Sequence, residues 1–311
     1  MVTRRQWTII SNCPICNSDS KHHSFFEGRV DHDIKLAYRI CDMCGFVFQN
    51  PRPSEAFLDD FYRGEYRKVV QGSEGPTDKD LRVQWGRANH LISFLQTSGY
   101  RPEKVLDIGS STGVLLQQMK EAFGSEVYGI EPGDAYRLWS RKHGLEIHKT
   151  IEDLPGTHKH SFEMISLIHV IEHLPDLIPY LHEIRSKWLR PEGFLLIEVP
   201  NLFAHASLEL AHLSAFTGQS LSNLLRMAEF SVQVIQSHGA PRSPVLKLYL
   251  TTLASVDNSP PPLNIRWSGS NNIRRQRKIG KWINRILTRA FPRLTWRSLP
   301  SLPRKSSQGN R

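Results

Sequence analysis

Four cysteines stand in two C-x-x-C pairs, Cys13-Pro-Ile-Cys16 and Cys41-Asp-Met-Cys44, with 24 residues between them. Each pair can place two thiolates on one ion, and two pairs complete the tetrahedron that zinc prefers. Asn17 and Gly45 directly follow the pairs, and both residue types tolerate the left-handed backbone of a thiolate turn. Phe46, Val47 and Phe48 then read as a ribbon strand. All four positions are filled by protein side chains, so the expected zinc is structural. Disulfides do not suit a reducing compartment, and a redox pair lacks its βαβ setting. His22, His23 and His32 lie between the pairs and read as surface residues, since the thiolates suffice.

A second chemistry is written in KVLDIGSSTGVLL, residues 104–116. Val105 and Leu106 end a short buried strand, Asp107 closes it, and Gly109 and Gly113 bracket a turn of small residues. Val114, Leu115 and Leu116 open a helix. Free backbone N–H groups point out of such a turn and make a nucleotide-binding corner. The next strand-like run, EVYGIE, ends in Glu131, where a carboxylate can accept hydrogen bonds from ribose hydroxyls. Further on, FEMISLIHVIEHLPD (162–176) carries a strand to Ile168 and leaves His169 at the carboxyl end of the sheet, where ligands bind in open α/β folds. His169, Glu172 and His173 also match the H-x-x-E-H metalloprotease pattern. That pattern needs both histidines on one helix face, whereas this pair begins at a strand end and runs into a proline turn.

These residues need a frame. From Lys104 onward, strands expected at 104–108, 126–131, 145–149, 163–168 and 193–199 alternate with helices at 113–123, 134–143, 175–189 and 218–228. Alternation implies a doubly wound, mostly parallel α/β sheet. Two final strands, 230–237 and 246–254, have no helix between them and make an antiparallel hairpin at one edge, for seven strands in all. A helix at 81–96 leads into this core. Another, carrying Phe57, Leu58, Phe61 and Tyr62, precedes a polar connector at 71–80.

The bulk numbers fit a soluble globular protein: 39% apolar and 23% charged residues. No apolar run reaches the ~18 residues of a membrane span, and the N-terminus lacks a signal-peptide core, so a cytoplasmic location is expected. The formal charge of +10 is unevenly placed. The last 54 residues hold 13 Lys and Arg and no acid; the first 257 hold 27 basic against 30 acidic residues, a net of −3. A nucleic-acid-binding core is therefore not indicated. Within the tail, Ile279, Trp282, Ile283, Ile286, Leu287, Ala290 and Phe291 fall at helical spacing among arginines and lysines. A basic amphipathic helix over 273–291 suits an anionic membrane surface, the protein's own flank or RNA. Beyond Pro292 the chain reads as disordered. The expected organisation is a zinc ribbon at 1–50, a helical lead-in at 51–98, a cofactor-binding domain at 99–256 and a basic tail at 257–311.

DIGSSTG followed by GIEP resembles motif I and the acidic ribose site of class I S-adenosylmethionine-dependent methyltransferases, and the likeness extends over about residues 85–255. It implies a Rossmann-like domain and S-adenosylmethionine as cofactor, held by Asp107, Gly109, Ser111, Gly113 and Glu131. It also implies that the helical lead-in at 51–98 is a substrate cover. Ser111 departs from the family, which usually has glycine there. In the loop KTIEDLP the resemblance puts Ile151 on the adenine ring and lets Glu152 or its backbone read the amino group. HVIEHLPD is similar to the family's post-strand signature and places His169 against the cofactor or acceptor. LAHLSAFTGQSLSNLL resembles the segment that faces substrate in sugar C-methyltransferases with an N-terminal four-cysteine site. His212 is kept, but Ala211 replaces the glutamate beside it. The resemblance thus implies methyl transfer to a small-molecule or carbohydrate acceptor in a polysaccharide or glycolipid setting, with His212 and His169 as candidate bases. A zinc-ribbon RNA methyltransferase and a non-catalytic cofactor-binding scaffold are the other classes with these parts.

Overall fold

The structure is a computed structural model and describes residues 7–31, 33–54, 56–57, 75–205, 208–258 and 268–302. His32, the expected helix beyond Phe57 with Leu58, Phe61 and Tyr62, and most of the expected linker at 257–264 lie outside these residues. The strands are β1 (Trp7–Thr8), β2 (His23–Asp31), β3 (Ile34–Cys41), β4 (Val47–Gln49), β5 (Arg52–Pro53), β6 (Lys104–Ile108), β7 (Glu126–Ile130), β8 (Glu146–His148), β9 (Phe162–Ile168), β10 (Leu189–Pro200), β11 (Ser214–Ala215), β12 (Phe230–His238) and β13 (Tyr249–Val256). The α-helices are α1 (Asp78–Thr97), α2 (Val114–Phe123), α3 (Asp134–Lys142), α4 (Leu177–Lys187), α5 (Gly218–Met227), α6 (Ser270–Ala290) and α7 (Pro292–Thr295).

Val105, Leu106, Met164, Ile165, Leu195 and Leu196 are fully buried on adjacent strands. Such consecutive apolar positions are what a parallel sheet covered on both faces requires. The seven-stranded sheet has the order β12-β13-β10-β9-β6-β7-β8. β8, β7, β6, β9 and β10 run parallel, and β12 and β13 add an antiparallel edge. The strand order reverses between β6 and β9, so their carboxyl ends flank a crevice at a topological switch point. α1 begins three residues earlier than expected because Thr77 and Asp80 form a capping box. Its Leu91 and Leu95 pack with Val105, Leu116 and Met164. The boundary expected between 98 and 99 therefore falls inside one packed unit.

The amino-terminal strands form a second sheet, ordered β11-β4-β3-β2. β11 is contributed from residues 214–215, far along the chain, and pairs with β4 through Ser214 opposite Phe48 and Ala215 opposite Val47. The cores also merge. Cys13, Ile15, Cys41, Cys44, Phe46 and Phe48 lie in one apolar cluster with Leu167, Phe216, Leu221 and Leu224 of the larger domain. The tail corrects another expectation: beyond Pro292 the chain makes α7, buries Thr295 completely and donates Arg297 N–H to the Arg242 carbonyl at 2.9 Å. No helix among the described residues is long and apolar enough to cross a membrane.

Phe216 is fully buried where the two sheets meet, its ring 5.6 Å from that of Phe46. Phe216→Ala should cost about 3–5 kcal/mol and shift a single denaturation transition seen by both far-UV circular dichroism and thiol accessibility. Two separate transitions, with only one moved, would mean that the cores are independent.

Candidate active site

A cavity of about 540 Å³ occupies the switch point. Asp107, Gly109, Ser110, Ser111, Glu131 and Gly133 form one wall; His169, His173, His205, Glu209, His212, Arg242 and Tyr249 line the rest. The first wall is the turn between β6 and α2. Gly109, Ser111 and Gly113 all have positive φ, at 77°, 52° and 70°. A side chain at Gly113 would meet Leu145 at 2.3 Å, so this glycine serves close packing behind the turn. Ser111 adopts the left-handed conformation despite its Cβ, and Gln84 of α1 holds it by donating to its Oγ at 2.9 Å while accepting from Thr112. Glu131 is buried and accepts from Ser111 N–H at 2.9 Å and Gly133 N–H at 2.7 Å. Its carboxylate is thereby fixed facing the cavity, and such a group accepts more than two hydrogen bonds.

His169 sits at φ 56°, just past β9, with its own N–H bonded to the Glu198 carbonyl at 2.8 Å. Its Nδ1 lies 3.1 Å from Glu172 and its Nε2 3.2 Å from Glu198. Burial and the Arg87 charge oppose protonation, but the hydrogen bonds to the two carboxylates outweigh them and raise its pKa above the ordinary 6.5. Burial would raise the Glu172 pKa; bonding to His169 and the charges of His169, His173 and His212 hold it down to about 2. Both ring nitrogens of His169 are thus engaged by carboxylates. This geometry suits His169 to positioning the cavity wall more than to taking up a proton.

Another part of the wall comes from the segment 209–212, through Glu209 and His212. His212 Nε2 lies 4.0 Å from the Glu209 carboxylate, so a carboxylate reaches the histidine from three residues upstream although Ala211 stands beside it. The ring of His173 packs edge-on to His212 at 4.8 Å. His173 Nδ1 donates to the Ala211 carbonyl at 2.8 Å, which places the lone pair on Nε2. Burial and the His212 charge push the pKa of His173 down to about 4, so it is neutral near pH 7. Glu172, His173 and His212 bring possible ligand atoms within 4.8 Å of one another, an arrangement able to relay a proton or to hold a cation. The ribbon sheet braces this wall. Tyr38 donates to the Glu209 carbonyl at 2.8 Å and Leu210 N–H donates to Asp31 at 2.8 Å.

The four cysteines are gathered 3.6 Å apart across the Cys13–Cys44 and Cys16–Cys41 pairs. A disulfide would need about 2.05 Å, whereas sulfurs at the corners of a tetrahedron with bonds of about 2.3 Å fall near this separation. Asn17 and Gly45 take the left-handed conformation that their positions suggested, with φ of 57° and 74°.

Residues 79–234 match the model of a family described as a methyltransferase domain. The chain belongs to that family. Its strand order, with the reversed edge hairpin, is the class I arrangement of S-adenosylmethionine-dependent methyltransferases. The ubiquinone biosynthesis O-methyltransferase of Haemophilus ducreyi is 30% identical over 123 residues, covering 35% of this chain and 51% of that protein. Its counterpart in Actinobacillus pleuropneumoniae is 32% identical over 123 residues, covering 35% and 52%. The chain thus spans about half the length of these curated relatives. Among solved structures, the 1,6-didemethyltoxoflavin-N1-methyltransferase of Burkholderia thailandensis, crystallised with 1,6-didemethyltoxoflavin and S-adenosylhomocysteine, shares the fold. Its TM-score is 0.53 at 20% identity, covering 75% of this chain and 100% of that one.

Within this methyltransferase domain, Asp107, Gly109, Ser111, Glu131, His169 and His212 converge on one cavity. Ile151 and Glu152 do not line it. They lie on a 3-10 turn capped by Thr150 and Asp153, with Ile151 packed on the apolar core and Glu152 exposed. Gln84, Arg87, Glu209 and Tyr38 were not singled out in the sequence. Only Glu209, three residues before His212, left a local signal.

Asp107 is buried, and Ser166 donates to it at 2.6 Å. Burial pushes its pKa from 3.8 up to about 7, with Glu131 adding and Ser166 opposing. The folded state therefore holds this proton more tightly than the unfolded chain. Its contribution to stability is full below about pH 4 and is lost as pH climbs to about 7. In cofactor-free protein, Asp107→Asn should gain roughly 2–4 kcal/mol on wild type between pH 4 and 7. Parallel stability curves over that interval, from urea unfolding, would contradict the assignment.

Proposed function

We propose that the chain transfers the methyl group of S-adenosylmethionine to a hydroxyl of a small-molecule or carbohydrate acceptor. The observation that carries this reading is one cavity joining the Glu131 cradle to the His212–Glu209 pair. Asp107, Gly109, Ser111 and Glu131 would hold the cofactor, whose sulfonium supplies an already activated methyl group. The protein's part is to bring the acceptor oxygen in line and to take up its proton. His212 is the group for the proton, with the Glu209 carboxylate 4.0 Å from its Nε2. Relatives named as O-methyltransferases support oxygen as the acceptor atom. The placement in cell-surface polysaccharide or glycolipid synthesis draws on the four-cysteine layout and the His212 segment alone. Glu131→Ala should weaken S-adenosylhomocysteine binding at least tenfold by calorimetry, since hydrogen bonds to charged groups contribute about 1.5–3 kcal/mol each. His212→Ala should lower turnover on phenolic or sugar hydroxyls by roughly 10² or more without that loss of binding. Unchanged cofactor affinity in a folded Glu131 variant would refute the reading.

Structural zinc on Cys13, Cys16, Cys41 and Cys44 belongs to the same proposal, supported by the spacing of the sulfurs. Because the ribbon sheet braces residues 209–212, the metal would act on turnover through the acceptor wall. Elemental analysis should find one zinc per chain. Cys41→Ser should lower the zinc content and reduce turnover more than cofactor affinity. A metal-free protein with full stability and turnover would end this part of the proposal.

A further inference from the structure

Helix α6 spans Ser270–Ala290 and carries seven basic residues and no acidic one. One face is bolted to the body. Ile273 is buried in the cluster of Val47 and Leu210. Arg277 is buried and donates to the His205 carbonyl at 2.7 Å and to that of Leu202. A side chain at Gly280 would meet the Phe203 carbonyl oxygen at 2.1 Å, so glycine lets the helix lie against that loop. Asn284 donates to the Ala204 carbonyl at 2.7 Å, and Leu287 packs against Leu246, Leu248 and Tyr249.

Docking on the protein's own flank therefore uses one stripe of the helix and leaves another. Ile279, Trp282, Ile283 and Ile286, at i, i+3, i+4 and i+7, are 45%, 62%, 42% and 41% exposed. Phe291, Leu294 and Trp296 extend the patch across α7 at 53%, 64% and 45%. Arg275, Lys278, Arg285, Arg289 and Arg293 are all exposed around it. A rigidly mounted apolar stripe with tryptophans, flanked by these exposed cations, has the chemistry of the headgroup region of an anionic bilayer. A protein partner would have to cover this ring of cations with acids of its own, whereas lipid headgroups supply negative charge at every position.

The mounting loop is also part of the cavity. His205, whose carbonyl Arg277 grips, lines it, as do Tyr249 under Leu287 and Arg242, bonded to Arg297. We propose that the free face of α6 and α7 docks on anionic lipid, and that the acceptor is an amphiphile with a hydroxyl-bearing head presented from that surface. The second half rests on the methyl-transfer reading; the docking does not.

The full chain should sediment with phosphatidylglycerol-containing vesicles at least tenfold more strongly than with pure phosphatidylcholine, and less so as salt is raised. A Trp282→Ser, Ile286→Ser double variant should lose at least tenfold of that binding, even at low salt. Both residues are exposed, so its melting temperature and its affinity for S-adenosylhomocysteine should not change. Equal binding to the two vesicle types, or a variant that binds like wild type, overturns the docking. For the acceptor, radiolabelled S-adenosylmethionine is supplied with lipid and aqueous extracts of the source cells. Label in the organic phase, reduced by the double variant on vesicles, supports the amphiphile. Label confined to the aqueous phase overturns it. Label in neither phase overturns methyl transfer itself, while the vesicle measurement still decides the docking.

Discussion

The cavity depends on a single buried carboxylate. Glu198 is wholly inaccessible on β10, and an unpaired charge there would cost several kcal/mol. Its oxygens are met by Arg87 at 2.9 Å, His169 at 3.2 Å, His238 at 3.3 Å and the Thr251 hydroxyl at 2.9 Å. Burial opposes its ionisation, and the bonds from His169 and His238 with the Arg87 charge hold its pKa well below the usual carboxylate range. The four partners come from α1, the end of β9, β12 and β13. Satisfying Glu198 thus ties the register of the edge hairpin, where Glu198 faces Thr251, to the position of α1 and to the strained His169 backbone. His169 in turn orients Glu172, and the following His173 lines the cavity beside His212.

The cavity wall around His212 has little regular structure of its own among the described residues 201–205 and 208–213, so other elements must hold it. The ribbon sheet does so from one side, through Tyr38, Asp31 and the pairing of β4 with β11. Helix α6 does so from another, through Arg277 and Asn284. Loop backbone groups that would otherwise lack partners are satisfied by side chains from both ends of the chain. The amino-terminal module and the basic tail, which look like appendages in sequence, are in structure two braces on the same functional surface. A shared apolar core makes the first brace rigid, and the close approach at Gly280 makes the second.

The Rossmann-like half was legible because its signals are local. The expected strand at 104–108 and the helices from 134 and 218 lie where the structure has them, since hydrophobic runs and small-residue turns act over a few residues. The paired cysteines and the turn 109–113 were legible for the same reason: ligand spacing and positive φ are properties of short segments. Three things were decided only by tertiary contact. Whether His169 could act as a base depended on Glu198, 29 residues away and brought alongside by the parallel register of β9 and β10. That the amino-terminal sheet is completed by a strand from residues 214–215 depended on β11 crossing into it. The tail offered two readings, own flank or outside surface, and a helix has room for both. Only the position of the loop at 202–205 decides which stripe faces inward, and no pattern within 273–291 could encode a partner some 70 residues earlier in the chain.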